Sequence, residues 1–115
     1  MSNYDPTDIR SQERAQADAD LRNALEKDTE DADFKRLMRS KWGRRIVWRQ
    51  LDRAGVFRLS FNVDPMTMAF NEGRRNEGLR ILEQIHTLCP ELYPVMMRER
   101  INENRNSDDG SRDAR

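Results

Sequence analysis

The stretch Gly43-Arg44-Arg45-Ile46-Val47-Trp48-Arg49-Gln50-Leu51-Asp52-Arg53-Ala54-Gly55-Val56-Phe57-Arg58-Leu59-Ser60-Phe61 holds two readings side by side. In its first part Val47, Trp48, Leu51 and Ala54 recur at helical spacing, which predicts a helix over about 43–54. Gly55 follows as the left-handed residue that closes such a helix. From Val56 to Phe61 apolar and other residues alternate, the only strand-like pattern in the chain. A strand needs a partner, and no second alternating stretch supplies one. The segment is therefore expected to be an extended connector with its apolar side chains on the core, and the fold class to be all-α.

Working outward, Asp64-Pro65 supplies a cap and a first-turn proline for a helix over about 66–88. Its apolar stripe is Gly78, Leu82 and Ile85, flanked by Ile81 and Leu88 and continued by Phe70 toward the start. Pro90 stops it. A last helix over about 91–104 carries Leu92, Tyr93, Met96 and Ile101, with Pro94 in the first turn, where a missing N–H costs least. On the other side, a short helix is expected at about 33–40, capped by Asp33 and placing Phe34, Leu37 and Met38 on one face. Before it, Asp5-Pro6 opens a weakly amphipathic helix to about Glu30, with only Ile9, Leu21 and Leu25 as larger apolar positions in its stripe. The expected organisation is an acidic N-terminal helical arm at 1–33, a domain of about four helices with a basic middle at 34–104, and a disordered tail at 105–115.

Charge follows the same division. The 115 residues hold 21 basic and 21 acidic side chains, a formal net charge of zero. Resolved along the chain, residues 1–33 carry ten acids and four bases, residues 34–80 twelve bases and four acids, and residues 81–115 seven acids and five bases. The zero is a cancellation of −6, +8 and −2. Of the 41 apolar residues, 30 lie between Phe34 and Ile101, a small core that gains from an association partner. No apolar run exceeds three residues, so no membrane span is expected. The opening residues lack a signal-peptide pattern, and a single cysteine, Cys89, makes a reducing, intracellular setting the simplest expectation.

Few residues offer chemistry. His86 and Cys89 stand one helical turn apart, but nothing nearby completes the three or four ligands of a zinc site. No P-loop, dinucleotide fingerprint or isolated acid–base pair is present, so neither catalysis, a cofactor nor a metal is expected. Gly-Arg-Arg occurs twice, at 43–45 and 73–75. Arg44 and Arg45 sit at a helix start suited to an anion, whereas Arg74 and Arg75 either pair with Glu72, Glu77 or the acidic arm or contact a phosphate or acidic partner. Gly73 and Gly78 each cost a helix about 1 kcal/mol relative to alanine, and close approach of another helix is the usual compensation. Trp48 fits the core stripe. Trp42 suits the core, an interface anchor or stacking by arginine. Basic residues interleaved with aromatics also suggest a helix-turn-helix, but the connector at 55–65 is far longer than that motif's turn.

The run Gly43 to Leu51 followed by Ala54-Gly55-Val56-Phe57, and Asp64-Pro65 followed by Ala69-Phe70-Asn71-Glu72-Gly73-Arg74-Arg75-Asn76-Glu77-Gly78-Leu79, resemble a family of small tailed-bacteriophage proteins. That family is mainly podovirus-like and typically encoded among portal, scaffold and capsid genes. The resemblance covers about residues 36–99 and leaves out the arm and tail. It implies a phage virion or assembly protein and brings no catalytic residues with it. The expectation is a non-enzymatic structural or head-assembly protein, in the virion or in host cytoplasm during assembly. It would contact other virion or assembly proteins, and copies of itself, through Arg44, Arg45, Arg74, Arg75 and Trp42. A DNA-binding accessory factor using the basic segment 35–80 is the alternative.

Overall fold

Local capping chemistry explains several of the element boundaries. The structure, a computed structural model, describes residues 6–113 and contains four helices: α1 (Pro6–Arg39), α2 (Lys41–Ala54), α3 (Pro65–Leu88) and α4 (Leu92–Asp113). Among the described residues there is no strand, so the all-α expectation is met. The chain divides into two units, one up to Phe34 and one from Lys35 onward.

In the first unit α1 is held by local pairs: Gln16 Nε2 donates to Asp20 Oδ1 at 2.8 Å, and Lys27 stands 3.6 Å from Asp31. Such pairs each contribute a few tenths of a kcal/mol. Leu21 and Leu25 are exposed. The separate short helix expected from 33 does not occur, because α1 continues without a break to Arg39. Asp31-Ala32-Asp33-Phe34 holds neither Gly nor Pro, and an interior aspartate costs a helix too little to stop it. Asp5, the expected cap, lies outside the described residues.

The second unit is built around α2. Ser40 caps its start: its hydroxyl accepts the Gly43 N–H at 3.0 Å and donates to the Leu37 carbonyl at 2.9 Å. Gly55 closes it at φ 75°, the left-handed value the sequence implies. Its N–H reaches the Asp52 carbonyl at 3.0 Å while the Val56 N–H reaches Leu51 at 3.2 Å. This is the two-bond closure of a Schellman motif, with Leu51 and Val56 both buried as its apolar pair. Asp64 caps α3, accepting the Met66 N–H at 3.2 Å and the Thr67 hydroxyl at 2.7 Å. The hydrogen bond from Thr67, then that from Met66, holds its carboxyl below the ordinary value of 3.8.

Met38, Val47, Leu51, Val56, Ile85, Cys89 and Met96 form the core, drawn from every element of this unit. Gly78 explains how α3 reaches α2 so closely: a Cβ there would lie 2.7 Å from Ala54 Cβ and also strike Val56 Cγ2. Gly43 is equally constrained, since a Cβ would run into the Leu37 carbonyl and lie 2.6 Å from the Ser40 hydroxyl. Arg44 crosses from α2 to α4, where Nε is 3.0 Å and Nη2 2.6 Å from Glu99 Oε1, and Nη1 donates to the Met38 carbonyl at 2.8 Å.

Two apolar expectations fail. The connector does not lay its side chains on the core beyond Val56; Phe57 is exposed, its ring stacked on Trp48 at 5.3 Å. Leu59 and Val63 are 94% and 90% exposed, and Phe61 is exposed with them. Phe70 is exposed as well, so the buried stripe of α3 begins only at Gly78. In both places the pattern is apolar but, among the described residues of this unit, no element covers it. At the far end, α4 runs to Asp113 where a helix to about 104 was expected. No proline interrupts 102–113, and helix propagation needs only one further hydrogen bond per residue.

Candidate functional site

The exposed side of the second unit is where α2 ends, the connector leaves and α3 begins. Two depressions meet there. A cleft of about 180 Å³ is lined by Gly55, Arg58, Ser60, Asn71, Arg74 and Arg75, with Ala54 and Leu59 at its walls. A shallow groove of about 590 Å³ adjoins it through the shared Ala54 and Arg74, with Gln50, Arg53, Phe70, Gly73 and Glu77 completing the lining.

The helix sets this arrangement. Asn71, Arg74 and Arg75 are spaced i, i+3 and i+4, so they share one face of α3. The turn closed by Gly55 then brings Arg58 to the same place, where its guanidinium donates to the Asp52 carbonyl and stands 3.8 Å from the Asp52 carboxylate. Arg74 donates to the neutral Asn71 Oδ1 at 3.2 Å and lies over the Phe70 ring at 5.1 Å. The Nε of Arg75 is buried and has no hydrogen-bond partner. A buried charged donor left unpaired costs at least about 1–3 kcal/mol, so this atom marks a place where an acceptor would be stabilised. Glu77 is turned toward Arg80 at 3.1 Å, not toward Arg75. Among the described residues neither Arg74 nor Arg75 forms an ion pair, which corrects the expectation of pairing with Glu72 or Glu77.

The other sequence candidates are scattered. Arg44 is buried and fully engaged within the fold, so it is a fastener between α2 and α4 and offers nothing outward. At the start of α2 the Gly43 N–H goes to the Ser40 hydroxyl and the Arg44 N–H to the Ser40 carbonyl, so the N–H groups nearest the Gly43 position are satisfied within the fold. Arg45 is exposed but stands with Trp48, Glu99 and Arg100, away from the arginine cleft. Trp42 is 59% exposed, which overturns its core reading and leaves it as a surface aromatic. Trp48 is half-buried between Phe57 and the Arg100 guanidinium at 5.5 Å. Of the two helical glycines, Gly78 is the close-packing residue anticipated. Gly73 is not: a Cβ there would meet nothing within 4 Å, and the missing side chain opens the groove instead.

Sequence reasoning missed Arg58, Ser60 and Asn71. The signal for Asn71 was its helical spacing to Arg74 and Arg75; Arg58 and Ser60 carried none, because the path of the connector decides where they go. His86 lies exposed beside Tyr93, ring centres 5.1 Å apart, while Cys89 is buried. Burial, then the nearby Glu91 carboxylate, pushes the Cys89 thiol above its ordinary value, with Lys35 opposing. Among the described residues no three His, Cys, Asp or Glu side chains gather as a metal site, and no helix is long and apolar enough to cross a membrane.

Comparison with known proteins returns one family. The model for Bbp19-like phage proteins matches residues 34–98, more than half of the chain and nearly all of the span from the last turns of α1 to α4. No curated protein and no solved structure matched.

Proposed function

The chain belongs to the Bbp19-like phage protein family, and from that premise we propose that it is a non-enzymatic structural or head-assembly protein acting through protein–protein contact. One observation supports this reading above the others: Leu59, Phe61, Val63, Met66 and Phe70 stand exposed in one continuous stretch of chain. A soluble monomer rarely leaves so many large apolar side chains uncovered together, and an interface is the usual reason. The adjoining arginines add polar contacts of the kind that fix orientation. Other virion or assembly proteins and further copies of the chain are the proposed partners, in the particle or in host cytoplasm during assembly. A podovirus-like source, with the gene beside those for portal, scaffold and capsid, suits that role.

Mass spectrometry of purified particles and of assembly intermediates tests the proposal. Detection in either is the expected result, and absence from both contradicts it. A second reading, DNA binding by the basic segment 35–80, is favoured by the arginine cleft having no carboxylate among its lining residues. It predicts an affinity for duplex DNA that falls steeply between two salt concentrations in an anisotropy titration. No binding at low salt removes it.

A further inference from the structure

We propose that the cleft among Arg58, Arg74 and Arg75 is a carboxylate-binding site, and that its ligand is the acidic segment 18–33 of a second copy of this chain. The inference rests on the assembly reading above and names a contact through which it would operate.

The cleft has side chains that bind oxyanions. Arg58, Arg74, Arg75, Ser60 and Asn71 line it, with Arg58 already held by Asp52, and no acidic residue is among the lining residues. The Nε of Arg75 is buried without an acceptor, and Arg74 has only the neutral Asn71 as a hydrogen-bond partner. A guanidinium fork matches a carboxylate with two parallel hydrogen bonds, so such a ligand would satisfy donors the fold leaves open. The adjoining groove has a different character: Phe70 and Ala54 line it, and the bare backbone of Gly73 leaves room for an aliphatic side chain. A ligand for the combined surface therefore carries apolar side chains with an acid close beside them.

The chain's own first unit has that pattern. Asp18, Leu21, Leu25 and Asp28 follow one another at helical spacing along α1, and both leucines are exposed. The leucines suit the groove, and Asp28, one turn on, suits the arginines. The charge imbalance agrees, since residues 1–33 carry −6 and residues 34–80 carry +8. A DNA phosphate would fit the cleft but leave the groove unused. The segment of one copy binding the cleft of the next is a head-to-tail contact, which builds rings or filaments rather than stopping at a pair.

Sedimentation of the full-length chain tests this by complementation. The wild-type protein is expected to self-associate with rising concentration and to dissociate as salt is raised. Two variants, Arg74→Gln with Arg75→Gln and Leu25→Ser with Asp28→Asn, are each expected to associate at least about tenfold more weakly. Unchanged helical circular dichroism would show that both still fold. An equimolar mixture of the two is expected to recover association, because one supplies an intact segment and the other an intact cleft. A wild-type chain that stays monomeric, or a mixture no better than its components, overturns the proposal. Duplex DNA that binds the wild-type chain more tightly than a peptide of residues 18–33 does, at the same ionic strength, would identify a phosphate site and overturn it too. If the chain is found in particles but complementation fails, this contact alone is wrong. If it is absent from particles and intermediates, the assembly reading itself fails.

Discussion

Replacing Gly78 by alanine drives a methyl group into Ala54 and Val56, neither of which can swing aside: alanine has no rotamers, and Val56 is β-branched and buried. Overpacking of this kind costs about 1–3 kcal/mol, more than the helix propensity gained. Gly73→Ala has the opposite sign. Its Cβ meets nothing, so the helix gains up to about 1 kcal/mol. Urea unfolding of the two variants should move the midpoint in opposite directions, and a shift of the same sign would refute the packing described for α3. Arg44 makes a second test. Arg44→Ala leaves Glu99 and the Met38 carbonyl without their partner and should cost about 3 kcal/mol, the lower end for a buried pair since both side chains keep some exposure. Arg44→Met with Glu99→Leu removes both charges together and should cost much less. If the double variant is as damaged as the single one, the pair is not what fastens α2 to α4.

Helix ends are where this sequence speaks most directly. Gly55 and Asp64-Pro65 each act through their nearest neighbours, so their roles could be assigned before any tertiary contact was known. The Asp64 cap also has a pH signature. Its folded carboxyl titrates below the ordinary 3.8, so the stabilisation it gives α3 is present above that value and is lost as pH falls through the lower, folded value. The amide resonances of Met66 and Thr67 should therefore titrate with a midpoint below 3.8, and a midpoint at or above it would show that the cap is not formed. Other boundaries were not legible. Asp33 reads as a cap because capping residues look alike wherever they stand, and only the absence of Gly or Pro nearby hinted that α1 would run through it. The stripe on α3 was readable from Gly78 to Leu88 but not before, because periodicity shows which side chains share a face, not whether anything lies against it. Phe70 and the connector are apolar faces of that uncovered kind.

The molecule as a whole is neutral only by cancellation, with acid concentrated before Phe34 and base concentrated from Lys35 to Arg80. Among the described residues of the second unit, Met38, Val47, Leu51, Val56, Ile85, Cys89 and Met96 are buried in one small core. That core leaves the connector and the first turns of α3 outside. Of the residues lining the cleft the sequence singled out Arg74 and Arg75 on α3, yet it could not separate them from Arg44, which shares the same tripeptide. Burial separates them: Arg44 has an internal carboxylate within reach and Arg75 has none. Under the proposed function the exposed side chains Leu59, Phe61 and Val63 belong to the assembly contact. The most direct measurement is the copy number of the chain in purified particles, comparing the wild type with Leu59→Ser, Phe61→Ser and Val63→Ser combined. These side chains contribute nothing to the core, so the variant should keep its helical circular dichroism and thermal midpoint while its incorporation falls severalfold. A normally folded variant incorporated at the wild-type copy number would contradict the account.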